Sequence, residues 1–161
     1  MYQVGDCVFY PMYGAGFIHS LEEKEILGEK QWYFEVRIDH PLMNVSIPVA
    51  KVDSLGIRCI SDEATLRLAK AIFQEECGDI PSNPNTRQQL MLGKLKTGDI
   101  CMEIQVIRDL SKLMTRKTLG WSDKNMLNNA RKLVISELIY ARNVSPEQAT
   151  KLLNDSLVAL N

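Results

Sequence analysis

Short apolar stretches with alternating polarity, each ended by turn-forming residues, dominate the chain from Val4 to about Ile60. Such alternation is typical of β-strands, because successive residues of a strand point to opposite faces. The apolar positions are Val8 and Tyr10, Phe17 and Ile18, and Trp32, Phe34, Val36 and Ile38, and the turn formers lie at 11–16, 27–30, 39–41 and 53–56. Four or five such short strands cannot bury a face as a wide open sheet, so we predict a small curled β-barrel.

From Ser61 onward the apolar residues recur at helical spacing instead. A first helix is predicted after the candidate caps Ser61 and Asp62 and should reach Cys77. Turn formers crowd residues 78–85, which we interpret as a boundary or hinge. Further helices are predicted over 86–96, 99–117 and 122–142, and Ser145 with Gln148 forms a capping box for a terminal helix. The predicted fold class is therefore α+β, with a barrel over 1–60 and an all-α helical bundle over 61–161.

Charge is sorted along the chain, although the net charge of the whole is only -1. Residues 1–77 hold seven Lys and Arg against twelve Asp and Glu, whereas residues 78–144 hold eleven against six. The strand-rich part is thus acidic and most of the helical part is basic. Because phosphate contacts require cations, we expect the barrel to bind protein and the helical half to suit nucleic acid.

Cysteine and histidine usage argues against metal and redox chemistry. Cys7, Cys59, Cys77 and Cys101 lie far apart and the chain has two histidines, so no zinc ligand set is predicted. The sequence has no glycine-rich phosphate loop, nucleophile elbow or carboxylate cluster beside a histidine, and we expect no enzyme, cofactor or small-molecule substrate. No apolar run approaches the roughly 18 residues of a membrane span, and the start is unlike a signal peptide. We therefore expect no membrane contact and a cytoplasmic location.

The most specific segment is VGDCVFYPMYGAG at 4–16, in which a Gly-Asp turn starts a strand and Pro11 with two glycines ends it. This segment resembles the signature that opens the CarD/CdnL family of bacterial transcription regulators and the polymerase-interacting module of the transcription-repair coupling factor. The likeness continues through 22–28, 47–49 and 56–58. In the second half LKTGD at 95–99, VIRDL at 106–110, KNML at 124–127, ARKL at 130–133 and SEL at 136–138 resemble the family's helical domain. The resemblance covers nearly the whole chain.

The resemblance implies a Tudor-like barrel that binds the β subunit of RNA polymerase by laying a strand edge against it. Pairing along an exposed strand edge is a common way for a sheet to recognise a protein. Relatives often carry a basic residue two positions before the strand proline, where this chain has Ser46, whereas Lys24 keeps the basic residue of the preceding hairpin. We therefore expect polymerase contacts that differ in detail from those of the relatives. The implied contact residues are Lys24, Glu25, Val45, Ser46, Ile47 and Pro48.

The resemblance also implies that the helical domain contacts promoter DNA at the upstream edge of the transcription bubble. Arg108, Lys112 and Arg116 stand four apart, so they lie on one face of their predicted helix. Such a stripe would contact phosphates and position the protein without reading sequence. For each single residue, a solvated helix face is the alternative interpretation. The predicted DNA-binding set is completed by Pro84, Arg87, Lys117, Arg131 and Lys132.

One departure from the family concerns its wedge tryptophan. Many relatives place a tryptophan fifteen positions before the aspartate of the second Gly-Asp turn, where it inserts into the minor groove, but in this chain that position is Pro84. Proline can act as a minor-groove wedge, yet the Asn-Pro-Asn setting is more simply interpreted as a linker and helix start. Trp121 precedes a candidate cap, Ser122, and is predicted to be a packing residue or staple, with a displaced wedge as the alternative interpretation. Trp32 is predicted to serve as barrel core or surface support.

These observations leave two functional hypotheses. The first is a transcription regulator that binds polymerase and stabilises the promoter open complex through DNA contacts that are not sequence-specific. The second, motivated by the missing tryptophan, is a polymerase-binding adaptor without DNA contact. The sequence leaves open whether the free protein also pairs with itself through the open edge of the barrel.

Overall fold

The structure is a computed structural model that describes residues 1–158 of the 161-residue chain. It begins with five antiparallel strands in the order β4-β3-β2-β1-β5. The strands are β1 (Cys7–Tyr10), β2 (Gly14–Ile26), β3 (Glu29–Asp39), β4 (Leu42–Pro48) and β5 (Arg58–Cys59), and a short 3-10 helix (Val49–Lys51) follows β4. All consecutive strands from β1 to β4 are neighbours, which matches the short turns between them.

The sheet encloses a small apolar core but does not close into a barrel. β4 and β5 form its two edges, and β5 is only two residues long, so no strand pairing joins the two edges among the described residues. The α+β class is confirmed, while the predicted barrel is an open curled sheet. Its core residues are Val8, Ile18, Phe34, Val36, Ile38, Ile47, Val52 and Ile57.

Five helices follow the sheet. The predicted caps Asp62 and Ser145 are confirmed, whereas the fourth helix begins before the predicted cap Ser122. Asp62, Asn83 and Asp99 each accept a hydrogen bond from a backbone N–H of the helix they precede. Ser145 and Gln148 form the predicted capping box, with reciprocal bonds of 2.9 and 3.1 Å. The first helix is shorter than expected and ends before Cys77. The helices are α1 (Glu63–Ile72), α2 (Pro84–Lys96), α3 (Ile100–Arg116), α4 (Trp121–Arg142) and α5 (Pro146–Val158).

The sheet and the helices have separate apolar cores, and residues of the sheet contribute to both. Val8 points into the core of the sheet, whereas its neighbour Phe9 points to the other side and joins the bundle core, as Ala15 does. The Ala15 backbone N–H donates to Ser136 Oγ of α4 at 3.1 Å. Gly14 beside it has a φ of +110°, and an added Cβ would lie 2.8 Å from the same oxygen, so this close approach requires glycine. The sheet is therefore docked directly on α4.

A buried ion pair fixes the same junction. Arg58 of β5 donates two hydrogen bonds, of 2.7 and 2.8 Å, to the carboxylate of Glu137, which is fully buried on α4. Ser61 adds a backbone N–H and a hydroxyl to the same carboxylate, both at 2.7 Å. The Arg58 guanidinium also lies over the Phe9 ring, 4.3 Å from its centroid. Burial lowers the pKa of Arg58, but the bonds to Glu137 outweigh that effect and raise it, so Arg58 keeps its positive charge.

Candidate functional site

The first candidate surface is the free edge of β4. The order of strands leaves one side of β4 without a partner strand, and all four predicted residues from Val45 to Pro48 lie on this strand. Ile47 is 2% exposed and packs into the sheet core, so its side chain anchors the strand and only its backbone can face a partner. Unpaired N–H and C=O groups along an edge are available to another strand.

Lys24 and Ser46, which the sequence separates by 22 residues, meet on one face of the sheet. The Lys24 ammonium donates to Ser46 Oγ at 3.0 Å and lies 2.5 Å from a carboxylate oxygen of Glu35 on β3. Ser46 also donates to Glu35 at 2.7 Å. Burial alone would raise the pKa of Glu35, but the bonds from Lys24 and Ser46 lower it, and Glu35 in turn raises the pKa of Lys24. Glu25, the next residue of β2, is exposed and points to the opposite face.

Arg87 is not available to a nucleic acid. Its side chain is buried and donates to both oxygens of Asp123 of α4, at 3.0 and 2.7 Å. It also donates to the backbone carbonyls of Pro81 and Ser82, just before α2. The hydrogen bond from Arg87 lowers the pKa of Asp123. The predicted DNA contact is therefore corrected: Arg87 ties the start of α2 to the start of α4.

Arg108 requires the same correction. It is 4% exposed, and its guanidinium donates to Asp109 at 2.8 Å and to the backbone carbonyl of Ile72 at 3.2 Å. Ile72 is the last residue of α1, and its carbonyl also accepts a hydrogen bond from the Glu75 backbone N–H at 3.1 Å, so the cation adds a second bond at the end of the helix. The spacing of four residues places Arg108 and Lys112 on the same side of α3, as predicted, but the Arg108 side chain is buried in the protein interior.

The other predicted cations remain at the surface, and two of them border one groove. Lys112 of α3 and Arg131 of α4 line a groove of about 430 Å³ between α3, α4 and α5. Arg131 is half-buried and donates to Asn154 Oδ1 at 2.6 Å, and burial lowers its pKa. Arg116 and Lys117 at the end of α3 are exposed, as is Lys132 on α4.

At one end of the bundle, next to this groove, the first turns of α2 and α4 lie close to the last turn of α3. The Arg87–Asp123 pair holds the two helix starts together, and the Lys117 charge is close enough to lower the pKa of Asp123 further. Pro84 is exposed at the first position of α2, which confirms the interpretation as a helix start. Trp121 is the first residue of α4. We call this surface the α2/α4 end, formed by Pro84, Arg116, Lys117, Trp121 and Lys124.

Trp121 does not pack as predicted. Trp121 is 80% exposed, and α4 begins one residue earlier than expected, with Gly120 instead of Ser122 at the N-cap position. Lys124 in the same first turn is exposed and was not among the predicted residues. Sequence reasoning missed Lys124 and favoured packing over a displaced wedge for Trp121, although an aromatic residue with Lys117 and Lys124 close to it in the chain was a visible signal.

Among residues 1–158 no helix is both long and apolar enough to cross a membrane. The same described residues hold no group of three or more His, Cys, Asp or Glu side chains placed to bind a metal ion.

Two family models match consecutive parts of the chain. The family model for the CarD-like/TRCF RID domain matches residues 2–61, and the model for the CarD C-terminal domain matches residues 69–154. A protein of Bacillus subtilis (strain 168) named "Putative transcription factor YdeB" is 39% identical over 148 residues, which cover 92% of this chain and 97% of that protein. The chain therefore belongs to the CarD/CdnL family.

Proposed function

We propose that the chain is a bacterial transcription regulator that binds the β subunit of RNA polymerase and stabilises the promoter open complex through DNA contacts that do not read sequence. Family membership and the name of the Bacillus subtilis relative support a role in transcription. The observation that carries the proposal is the unpartnered edge of β4, on which Val45, Ser46 and Pro48 lie. The proposed polymerase surface also includes Lys24, Glu25 and the backbone of Ile47.

The chemistry of the sheet favours protein over DNA as its partner. Residues 1–61, which contain all five strands, hold five Lys and Arg against eight Asp and Glu, and a negative surface repels phosphates. An edge strand instead offers main-chain hydrogen bonds to an extended segment of another protein. Lys24 and Ser46 add a charge and a hydroxyl beside that edge, and Glu35 holds both in place.

Hydrogen–deuterium exchange on the full-length chain, free and bound to polymerase, tests this contact. We expect protection of the backbone amides of β4 on binding, because the outward-facing amides would gain partners. The opposite edge strand, β5, is the internal control, since it is occupied at the junction with α4 and should not change. Unchanged exchange in β4 would contradict the proposal. The full chain is required because Phe9 and Arg58 of the sheet are packed against the helices.

For the DNA contact we propose the α2/α4 end together with the adjoining groove. Lys112, Arg116 and Lys117 would contact phosphates, with further contacts from Lys124, Arg131 and Lys132. Trp121 presents a large exposed ring at the same end, and such a ring can stack on an unpaired base at a bubble edge. Pro84 is a smaller apolar contact at the neighbouring helix start.

A charge-neutralising variant and a matched control test this surface. We expect K112A/R116A/K117A to weaken binding to a forked promoter duplex and to reduce the slope of log affinity against log salt, by up to about 0.9 for each phosphate that is no longer neutralised. The control K51A/R67A/K70A removes the same charge from exposed residues elsewhere. Equal weakening by the two triple variants would contradict a defined DNA surface, because general electrostatic attraction would then explain the binding.

The ring of Trp121 is tested separately. We expect Trp121→Ala to weaken binding to the forked duplex by about 1–3 kcal/mol, the usual contribution of base stacking. Binding to a fully paired duplex should change less, because a paired duplex offers no free base. An equal effect on both duplexes would contradict stacking at the bubble edge.

The proposed effect on transcription is a shift of population and not a chemical step. Contacts that exist only once the bubble has opened favour the open complex by their own free energy. The lifetime of open complexes after challenge with a competitor should therefore increase with the protein and fall back with K112A/R116A/K117A.

The second candidate function is an adaptor that binds polymerase without touching DNA. Two observations favour it: Pro84 occupies the position of the family's wedge tryptophan, and the burial of Arg87 and Arg108 removes two of the expected cations from the surface. An affinity for the forked duplex that does not depend on salt would support the adaptor over the regulator.

A further inference from the structure

The β2–β3 hairpin extends past the end of the edge strand. β4 pairs with β3 only from Asp39 to Tyr33, where Pro48 ends the strand, whereas β2 and β3 remain paired as far as Ile26 and Glu29. Residues 23–32 therefore project beyond the edge strand. We call these residues, together with Leu21 and Glu22 that lead into them, the hairpin extension. Projecting hairpins have little core of their own, so apolar residues that they expose require an explanation.

Two large apolar side chains lie side by side on one face of the hairpin extension. Leu21 is opposite Phe34 and Glu23 is opposite Trp32, so Leu21 and Trp32 are diagonal neighbours on the same face. Trp32 is 51% exposed and Leu21 is 45% exposed. Phe34, on the same face one step inward, belongs to the sheet core, so this face is a continuation of the core that no part of the described chain covers.

The surroundings of this apolar pair are acidic. Glu23 and Glu25 lie on the same face as Trp32, and Glu22 and Glu29 lie elsewhere on the hairpin extension. Of its two lysines, Lys24 is already paired with Glu35, and Lys30 lies opposite Glu25. The exposed ring therefore sits among carboxylates, which suits a cation that lies over the ring face and pairs with a neighbouring acid.

We propose that the Leu21–Trp32 face of the hairpin extension makes a second contact with RNA polymerase, beyond the edge contact that includes Lys24 and Glu25. This face would receive a protein segment whose Arg or Lys side chain stacks on Trp32 and pairs with Glu23. This inference rests on the proposed function, since it gives the same partner a second, chemically defined contact. Nucleic acid does not fit the site, because the carboxylates would repel its phosphates. A second copy of the chain does not fit either, because a symmetric pair would bring the acids of both hairpins together.

Affinity of the full-length chain for purified polymerase tests the inference. Trp32→Thr removes the ring and keeps a residue with good strand propensity, and Glu23→Lys reverses one charge on the exposed face. The control Leu68→Ala truncates an exposed apolar residue of α1, outside both proposed surfaces. The melting temperature of each variant confirms that it is folded.

We expect Trp32→Thr and Glu23→Lys each to weaken polymerase binding about tenfold, as truncations of tryptophan at interface centres commonly do, and Leu68→Ala to leave it unchanged. Wild-type affinity for either Trp32→Thr or Glu23→Lys would overturn the inference. Exchange protection of β4 is the separate readout of the proposed function. If β4 is protected but Trp32→Thr binds normally, only the second contact fails; if β4 is unprotected, the proposed edge contact fails regardless of Trp32.

Discussion

Replacing Glu103 with methionine should stabilise the protein at neutral pH. Glu103 lies on α3, is fully buried, and neither of its carboxyl oxygens has a hydrogen-bond partner among the described residues. Burial raises the pKa of Glu103 well above its ordinary value, and the nearby Glu137 carboxylate raises it further. The folded chain therefore keeps this carboxyl protonated at a pH at which the unfolded chain has released the proton.

The sign and size of the effect follow from proton linkage. The unfolded chain loses the Glu103 proton near the ordinary pKa of glutamate, about 4.3, whereas the folded chain holds it to higher pH. The free energy of unfolding therefore falls as pH rises through that window, by up to about 1.4 kcal/mol per pH unit. In addition, a buried polar group without a partner costs about 1–3 kcal/mol, which methionine avoids while keeping an unbranched shape.

Urea unfolding of the wild type and of Glu103→Met at several pH values between about 4 and 8 measures both effects. We expect the variant to be more stable by at least about 1–3 kcal/mol at pH 7 and the difference to shrink as pH falls. Other titrating groups act on both proteins, so the difference isolates Glu103. Glu137→Gln is the contrasting control, since it weakens the partner of Arg58 and should destabilise the chain. A variant that is less stable than wild type at pH 7, or a difference that does not change with pH, would refute the reasoning.

Three further outcomes are expected. Arg87→Ala should lower the free energy of unfolding by about 3–5 kcal/mol in urea titrations, because it leaves the buried Asp123 carboxylate unpaired; weaker DNA binding at unchanged stability would contradict its internal role. Ser145→Ala should cost about 1 kcal/mol in the same assay, because it removes the cap of α5. Tyr140→Phe should raise the pKa of Asp39 toward its ordinary value, because Tyr140 donates a hydrogen bond that lowers it. The wild type should thus be more stable than Tyr140→Phe at neutral pH, and the difference should vanish as pH falls through the Asp39 pKa.

The elements that local rules govern were predictable from the sequence. Helix starts at Asp62 and Ser145 need only a side-chain oxygen and the following backbone N–H, which lie within three residues of each other. The class of the fold followed from the change between two apolar periods near Ser61. The length of β2 could not be predicted, because its second half, Glu22 to Ile26, is largely exposed on both faces and carries no apolar alternation.

The side chains of Arg87 and Arg108 are buried against partners that lie far away in the sequence. Asp123 is 36 residues from Arg87, and the carbonyl of Ile72 is 36 residues from Arg108. Spacing along one helix shows which residues share a face, but it does not show whether another helix covers that face. One local signal existed, since Arg108 stands in the run VIRDL among apolar residues and beside its own counter-charge, Asp109.

The burial of these two arginines also changes how the two halves of the protein relate to function. Cations that the sequence suggested for DNA instead build the helical bundle, and the Arg58–Glu137 pair connects that bundle to the sheet. With Phe9 and Ala15 in the bundle core, the sheet that carries the β4 edge is packed directly against the helices. When a partner binds the β4 edge, the α2/α4 end is therefore already in a defined position. A second contact through that end then costs less conformational entropy. On the proposed function, this rigid junction is what would let docking on polymerase hold Trp121 and its neighbouring cations at the edge of the bubble.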